Sequence, residues 1–144
     1  MSAIAVSPVR TTGDVSLVRL YLLRALYLFV VVGLAGLVWP DVINPGRHWG
    51  VVEGQAYCML AAFSLMCLLG LRYPLQMIPV LLWEATWKTL WLAIVPLPQW
   101  LAGHVDASLN SSIFACSFVV LVYVAIPWPY VFAQFVRARG ARWW

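Results

Sequence analysis

Residues 75–97 read LQMIPVLLWEATWKTLWLAIVPL, an apolar run that contains only two charged residues, Glu84 and Lys88. Its length matches the about 17 to 25 residues that an α-helix needs to cross the hydrocarbon core of a bilayer. A lipid-embedded segment has to be helical, because each backbone amide and carbonyl must find its hydrogen-bond partner inside the segment. The stretch therefore predicts a membrane-spanning helix.

Three further runs have the same character, at about residues 20–39, 54–71 and 112–132. Prolines and glycines separate the runs, and Pro96 with Pro98 is expected to end the third of them. Asn110 with Ser111 offers a helix N-cap before the fourth. The pattern predicts an all-α membrane protein whose single domain, residues 17–136, is a four-transmembrane-helix bundle. Short tails are expected at residues 1–16 and 137–144.

The composition agrees with this prediction and argues against a water-soluble fold. Hydrophobic residues make up 64% of the chain and charged residues 10%, whereas about a quarter of an ordinary soluble domain is charged. The chain is basic, with a net charge of +4, but its cations form no continuous patch and accompany no recognition motif. We therefore expect the lipid bilayer, and not nucleic acid, as the surrounding partner.

The basic residues also predict an orientation. Arginines at or near the ends of the runs cluster on one side of the expected membrane, and Arg47 stands alone on the other. The cluster consists of Arg10, Arg19, Arg24, Arg72, Arg137, Arg139 and Arg142. Because cytoplasmic loops carry the excess of Lys and Arg, both termini are expected in the cytoplasm. The first run ends at Trp39-Pro40 without a small-residue cleavage pattern, so we expect it to be a retained span and not a signal peptide.

Glu84 and Lys88 are the polar residues that most need an explanation. Ionisable groups near the centre of a span cost several kcal/mol unless they are paired, hydrated or turned inward. Their four-residue spacing places both on one helix face, so we expect an ion pair that looks into the bundle. A helical wheel places Trp83, Trp87 and Trp91 on one flank of the pair, and the small residues Ala85, Thr89 and Ala93 on the other. Two hypotheses stay open, a structural pair that fixes helix register and a functional site for protons or a ligand head group.

A second group of polar residues is expected on the outer face: His48, Glu53, His104 and Asp106. Two histidines with carboxylates suggest metal or haem ligation, but no spacing typical of a metal site supports it. Glu53 has a simpler role available at the N-terminus of the second helix, where the helix dipole stabilises a carboxylate. The metal question stays open, and no cofactor is predicted.

Neither the cysteines nor any sequence motif indicates a specific chemical activity. Cys58, Cys67 and Cys116 lie in apolar runs and form no C-x-x-C pair, which favours inert thiols, although a disulfide between Cys58 and Cys116 stays an alternative. The sequence contains no P-loop, dinucleotide fingerprint, nucleophile elbow or zincin helix. No catalytic residue is predicted.

Two segments carry a resemblance to other proteins, residues 20–25 (LYLLRA) and residues 69–88, where LGLRYPLQM is followed by Trp83-Glu84 and Trp87-Lys88. The chain resembles a group of small bacterial four-helix inner-membrane proteins of unknown function over most of its length. The resemblance implies a multi-pass protein of the bacterial inner membrane. It implies no activity.

Three functional hypotheses follow. The first is an accessory, scaffold or lipid-binding component of a membrane complex, which associates with another membrane protein or with itself. The second is a proton-coupled small-molecule transporter that works as a homodimer, with Glu84 as proton carrier and Lys88 as counter-charge. The third is a haem- or quinone-linked membrane enzyme that uses His48 and His104.

Overall fold

A computed structural model describes residues 15–104 and 106–138, so most of the two predicted tails lies outside the described residues. Eight α-helices and a terminal π-helix follow one another in these residues, and no strand occurs among them. The helices are α1 (Leu17–Leu37), α2 (Trp39–Val42), α3 (Val51–Arg72), α4 (Ile78–Ile94), α5 (Pro96–Leu101), α6 (Ala107–Ser117), α7 (Val119–Ala125) and α8 (Trp128–Val131), and the π-helix is Phe132–Arg137.

Four helical segments are long and apolar enough to cross a membrane, which confirms the predicted fold class. The spans are Leu17–Leu37, Val51–Arg72, Ile78–Leu101 and Ala107–Ala125. Their mean hydropathies are 2.1, 1.6, 1.3 and 1.8. We call the side of the bundle where the first span begins the termini end. The opposite side, which holds the connections 38–50 and 102–106, is the loop end.

The fourth span differs most from its predicted bounds. Asp106 is its N-cap in place of Asn110 and Ser111, because the Asp106 carboxylate accepts a hydrogen bond from the Leu109 amide at 2.7 Å. At the other end the helix stops at Ala125, because Pro127 disfavours helical backbone in the residue before it. Ile126 is accordingly extended, with ψ 126°. The span therefore covers residues 107–125 and not 112–132.

Proline has a different effect in the third span. Pro96 and Pro98 were expected to end the helix, but α5 continues from Pro96 to Leu101. Proline is tolerated in the first turn of a helix, where its missing amide would have no partner. The third span therefore consists of two helices with a break at Val95, and it starts at Ile78, three residues later than predicted, after the turn that contains Pro74.

The core is built around the first span. Its Leu23 and Tyr27 are fully buried, together with Ile78 and Leu81 of the third span. The first and second spans pack closely at Gly70, where a Cβ atom would lie 2.5 Å from the Tyr27 ring. The Tyr27 hydroxyl donates a hydrogen bond to the Pro74 carbonyl at 3.1 Å. This contact anchors the turn between the second and third spans to the first.

Two arginines of the first span satisfy backbone carbonyls where other spans end. Arg24 donates through Nε to the Leu71 carbonyl at 3.3 Å, and Arg19 donates through NH1 to the Ile126 carbonyl at 3.0 Å. The last carbonyls of a helix have no partner within the helix, and they attract cations. The first span therefore caps the second and the fourth at the termini end.

Candidate functional site

The Glu84 side chain lies inside the bundle and is almost completely buried, with 3% of the residue exposed. One carboxylate oxygen, Oε1, is 2.7 Å from Nζ of Lys88. The other oxygen, Oε2, accepts a hydrogen bond from the indole Nε1 of Trp87 at 2.5 Å. Each oxygen thus has its own donor, and both donors come from the same helix, α4.

Indole and phenyl rings cover part of this pair. The Nζ atom of Lys88 lies 5.7 Å from the ring centroid of Trp87, within the range of a cation–π interaction. The Trp83 ring lies 6.4 Å from Trp87 and 5.9 Å from Phe63 of the second span. Trp83 itself is 42% exposed, and Trp91 is half-buried. Trp87 therefore covers part of the pair directly, and Trp83 extends this aromatic cover toward the second span.

The opposite flank of α4 joins the third span to the fourth. Ala85 is buried, and the Thr89 hydroxyl both donates to the Ala85 carbonyl and lies 2.7 Å from the hydroxyl of Tyr123. Thr89 and Ala93, the other two small residues of this flank, are exposed.

An open apolar groove lies between the second and third spans, which make few contacts with each other. We call it the 2–3 groove; its volume is about 400 Å³. It is lined by Met59, Ala62, Phe63 and Met66 of the second span and by Pro79, Val80 and Trp83 of the third. Trp83 is thus shared between the groove and the cover of the ion pair, whereas Glu84 and Lys88 do not line the groove.

At the loop end, Arg47 is the centre of a second ionic cluster. Its NH1 is 2.9 Å from Oδ1 of Asp41, and its NH2 is 2.7 Å from Oε1 of Glu53. The guanidinium also lies over the rings of Trp49 and Tyr57, 4.5 and 5.3 Å from their centroids. The hydrogen bond to Glu53 raises the pKa of Arg47 above its ordinary value, and the nearby carboxylates add to this rise. The cluster ties the 38–50 connection to the first turns of the second span.

The other polar residues of the loop end are not gathered into one site. His48 and His104 are both exposed, and the described residues contain no group of three His, Cys, Asp or Glu side chains that could hold a metal ion. Glu53 lies in the first turn of the second span and pairs with Arg47. The three cysteines are free thiols, with Cys58 exposed and Cys116 buried.

Asp106 acts as a helix cap. The Leu109 amide is the main cause of the lowered pKa of the Asp106 carboxyl, and the hydroxyl of Ser108 adds to it. Because the pKa in the folded state is depressed, the contribution of this cap is complete above the ordinary carboxyl pKa. It is lost as the pH falls through the lowered value.

A second groove, of about 770 Å³, lies where the third span ends and the fourth begins. Leu92, Leu97 and Trp100 line one part of it, and Asp106 and Asn110 line another. It is open and lies beside the connection 102–106. Its polar lining includes the carboxylate that already caps the fourth span.

Three important contacts were not expected from the sequence. Tyr123 pairs with Thr89, the indole of Trp39 donates to Ser64 Oγ at 3.0 Å, and Tyr27 packs on Gly70. A glycine within an apolar run is a signal of close helix approach, so Gly70 was in principle detectable. The other two depend on which spans are neighbours, which a single sequence does not reveal.

Comparisons with models of protein families, with curated proteins and with solved structures find no match for this chain. The resemblance to small bacterial inner-membrane proteins stays a prediction. The function is therefore argued from the geometry of the described residues.

Proposed function

We propose that this integral membrane protein is an accessory component of a membrane complex, and that it holds a transmembrane helix of a partner protein in the 2–3 groove. The observation that carries the proposal is a contrast between neighbouring parts of the third span. Its charged residues are paired with each other inside the bundle, while the groove beside them is open to the bilayer and apolar.

The ion pair suits a structural role. Both oxygens of Glu84 have a donor on the same helix, and removing either charged partner would leave an isolated charge in a poorly solvated environment. The pair therefore favours one rotation of the third span, the one that keeps Glu84 inside. That rotation also sets Trp83 at the edge of the 2–3 groove, so the pair defines the shape of the proposed docking surface.

The groove has the chemistry of a helix-binding surface. Small residues such as Ala62 permit the backbone of another helix to come close, and van der Waals packing is the main force that joins helices in lipid. Met59 and Met66 are flexible side chains that adapt to the shape of a partner. The apolar lining calls for an equally apolar transmembrane helix.

The orientation predicted from the arginines indicates where the 2–3 groove lies across the bilayer. Seven arginines toward one side of the expected membrane against one on the other favour a cytoplasmic termini end. Pro79 and Val80 lie near that end, and Met59 lies toward the loop end. A partner helix in the groove would thus make most of its contacts in the inner half of the bilayer. The resemblance to bacterial proteins favours the inner membrane as the compartment.

The proton-carrier hypothesis has less support. A carrier needs a carboxylate that exchanges protons with water, whereas Glu84 is buried and hydrogen-bonded on both oxygens. Neither Glu84 nor Lys88 lines the 2–3 groove or the groove at the loop end.

The test fills the groove. Ala62→Trp places a large side chain in the 2–3 groove, and Ala115→Trp is the matched control, because Ala115 is exposed on the fourth span and lies outside the groove. Wild type and both variants would be extracted gently from the native membrane and weighed by native mass spectrometry. We expect wild type and Ala115→Trp to carry the same partner protein and Ala62→Trp to lose it.

Two results would overturn the proposal. In the first, the wild-type chain is always found alone, or only with further copies of itself. In the second, Ala62→Trp keeps its partner as well as Ala115→Trp does. A thermal melt of each variant in detergent shows whether the loss of a partner reflects the groove or a general loss of folding.

A further inference from the structure

The charges of the described residues are divided unevenly between the two ends of the bundle. Four arginines lie at the termini end: Arg19, Arg24, Arg72 and Arg137. The four carboxylates of the described residues lie elsewhere, with Asp41, Glu53 and Asp106 at the loop end and Glu84 within the third span. Among the described residues, the termini end therefore has positive charge that no carboxylate balances.

Arg24 and Arg72 are brought together by a backbone contact. Arg24 Nε donates to the Leu71 carbonyl oxygen at 3.3 Å, and the nitrogen of that same peptide group belongs to Arg72. The two residues thus meet where the first span crosses the end of the second. The bond to Leu71 fixes the Arg24 side chain through Nε and does not use its two terminal nitrogens.

Each of these arginines also lies beside a tyrosine ring. The Cζ atom of Arg24 is 6.0 Å from the ring centroid of Tyr21, and the Cζ atom of Arg72 is 5.5 Å from that of Tyr73. Tyr21 is 66% exposed and Tyr73 is 43% exposed. Tyrosines with an apolar ring and a polar hydroxyl prefer the boundary between acyl chains and head groups. Exposed tyrosines beside both guanidinium groups are the arrangement expected where acyl chains meet lipid head groups.

We propose that Arg24 and Arg72 form a binding site for the phosphodiester of an anionic phospholipid. A guanidinium offers a planar pair of N–H donors that matches the oxygens of a phosphate. Zwitterionic lipids also carry a phosphate, but the two arginines repel the ammonium beside it. The site therefore selects head groups with a net negative charge. It does not depend on the partner helix proposed for the 2–3 groove.

The test measures lipid selection directly. The purified chain would be placed in nanodiscs of equal parts phosphatidylglycerol and phosphatidylcholine, released, and examined for retained lipid by native mass spectrometry. We expect wild type to retain phosphatidylglycerol in preference to phosphatidylcholine. The preference should fall about fivefold in Arg72→Gln, which removes one cation near the membrane surface, and further in Arg24→Gln/Arg72→Gln.

Arg137→Gln is the matched control, because it removes an arginine of the termini end from another part of the bundle. It should keep the wild-type preference. Arg24→Lys keeps the charge but loses the planar pair of donors, so it should show an intermediate preference. Equal retention of the two lipids by wild type, or an equal loss of preference in Arg137→Gln and Arg72→Gln, would overturn the proposal.

A final experiment tests whether the ligand of the Arg24–Arg72 site is a lipid or free phosphate. Inorganic phosphate at about tenfold excess over the lipid should not displace phosphatidylglycerol, since the acyl chains hold the lipid in the bilayer. Displacement would assign the site to free phosphate and overturn its assignment to lipid. These results are independent of the partner experiment, because loss of lipid preference in Arg72→Gln leaves the groove intact and Ala62→Trp leaves both arginines in place.

Discussion

The described residues contain two ionic clusters that share the same shortest nitrogen–oxygen distance and have very different surroundings. The Lys88–Glu84 pair and the Arg47–Glu53 pair each have a nitrogen–oxygen distance of 2.7 Å. The first has side-chain exposures of 17% and 4%, and the second has 31% and 48%. If this distance alone decided the contribution of a salt bridge to stability, the two pairs would contribute equally.

The two clusters differ in how deeply their charged groups are buried. Where water screens the charges, a salt bridge contributes little to stability, and salt weakens it further. In a poorly solvated interior, a charge that loses its partner is costly, although replacing the whole pair by apolar groups can be neutral. The interior pair is therefore a strong constraint on which structures the chain can adopt, and the loop-end cluster is a weak one.

Breaking the interior pair should have the largest effect. Lys88→Met leaves Glu84 buried without its cation, and it should lower the free energy of unfolding by about 3 to 5 kcal/mol. The measurement is reversible unfolding in mixed detergent micelles.

The matched control for this change is Glu84→Gln/Lys88→Met. Gln keeps an acceptor for the Trp87 indole and removes the charge, so the double variant should recover most of the lost stability. A double variant as unstable as Lys88→Met would show that the lysine contributes through packing and not through its charge.

A second test probes how tightly the interior is packed, without changing any charge. Gly70→Ala adds a Cβ atom 2.5 Å from the fully buried ring of Tyr27. The overpacking should lower the free energy of unfolding by about 1 to 3 kcal/mol, because the ring has little space to move. Thermal unfolding monitored by tyrosine and tryptophan fluorescence would detect it.

Gly36→Ala is the control for the packing test. No heavy atom lies within 4 Å of the Cβ position at Gly36, so the same substitution should be neutral or stabilise the helix by up to about 1 kcal/mol. If Gly70→Ala is as stable as Gly36→Ala, the first and second spans do not pack as closely as described.

The smallest effect is expected at the loop end. Arg47→Gln removes both salt bridges of that cluster, but water and ions reach these side chains. We expect a slight fall in the unfolding midpoint at low ionic strength that disappears at about 1 M salt, where the Debye length is about 3 Å. The Lys88→Met effect should persist at that salt concentration. A fall in the unfolding midpoint of Arg47→Gln that does not depend on salt would contradict this expectation. It would show that the loop-end cluster is shielded from water and ions in the same way as the interior pair.

Much of the fold could be predicted because its causes are local. Four apolar runs of sufficient length predicted four spans, and the structure has them. The residues at which those spans begin and end were harder to predict. Pro127 ends a helix in the fourth span, whereas Pro96 begins a new helical segment in the third. The two outcomes differ because proline is compatible with the first turn of a helix and not with its interior.

The candidate site was only partly predictable. The spacing of Glu84 and Lys88 predicted that they share a helix face, which depends on helix geometry alone. The second donor to Glu84, the Trp87 indole, comes from the adjacent turn of the same helix. The link from Thr89 to Tyr123 and the 2–3 groove depend on which spans lie side by side and how far apart they are. No local pattern contains that information.

The sequence by itself determined that this chain is a membrane protein of four helical spans, because hydropathy and length decide whether a segment enters lipid. It also determined that the third span carries a lysine and a glutamate one turn apart. Only the tertiary structure decided that Thr89 meets Tyr123, that Tyr27 packs against Gly70, and that a groove stays open between the second and third spans. These features come from packing between helices that are distant in the chain, and packing depends on the shapes of surfaces that exist only after the helices have formed.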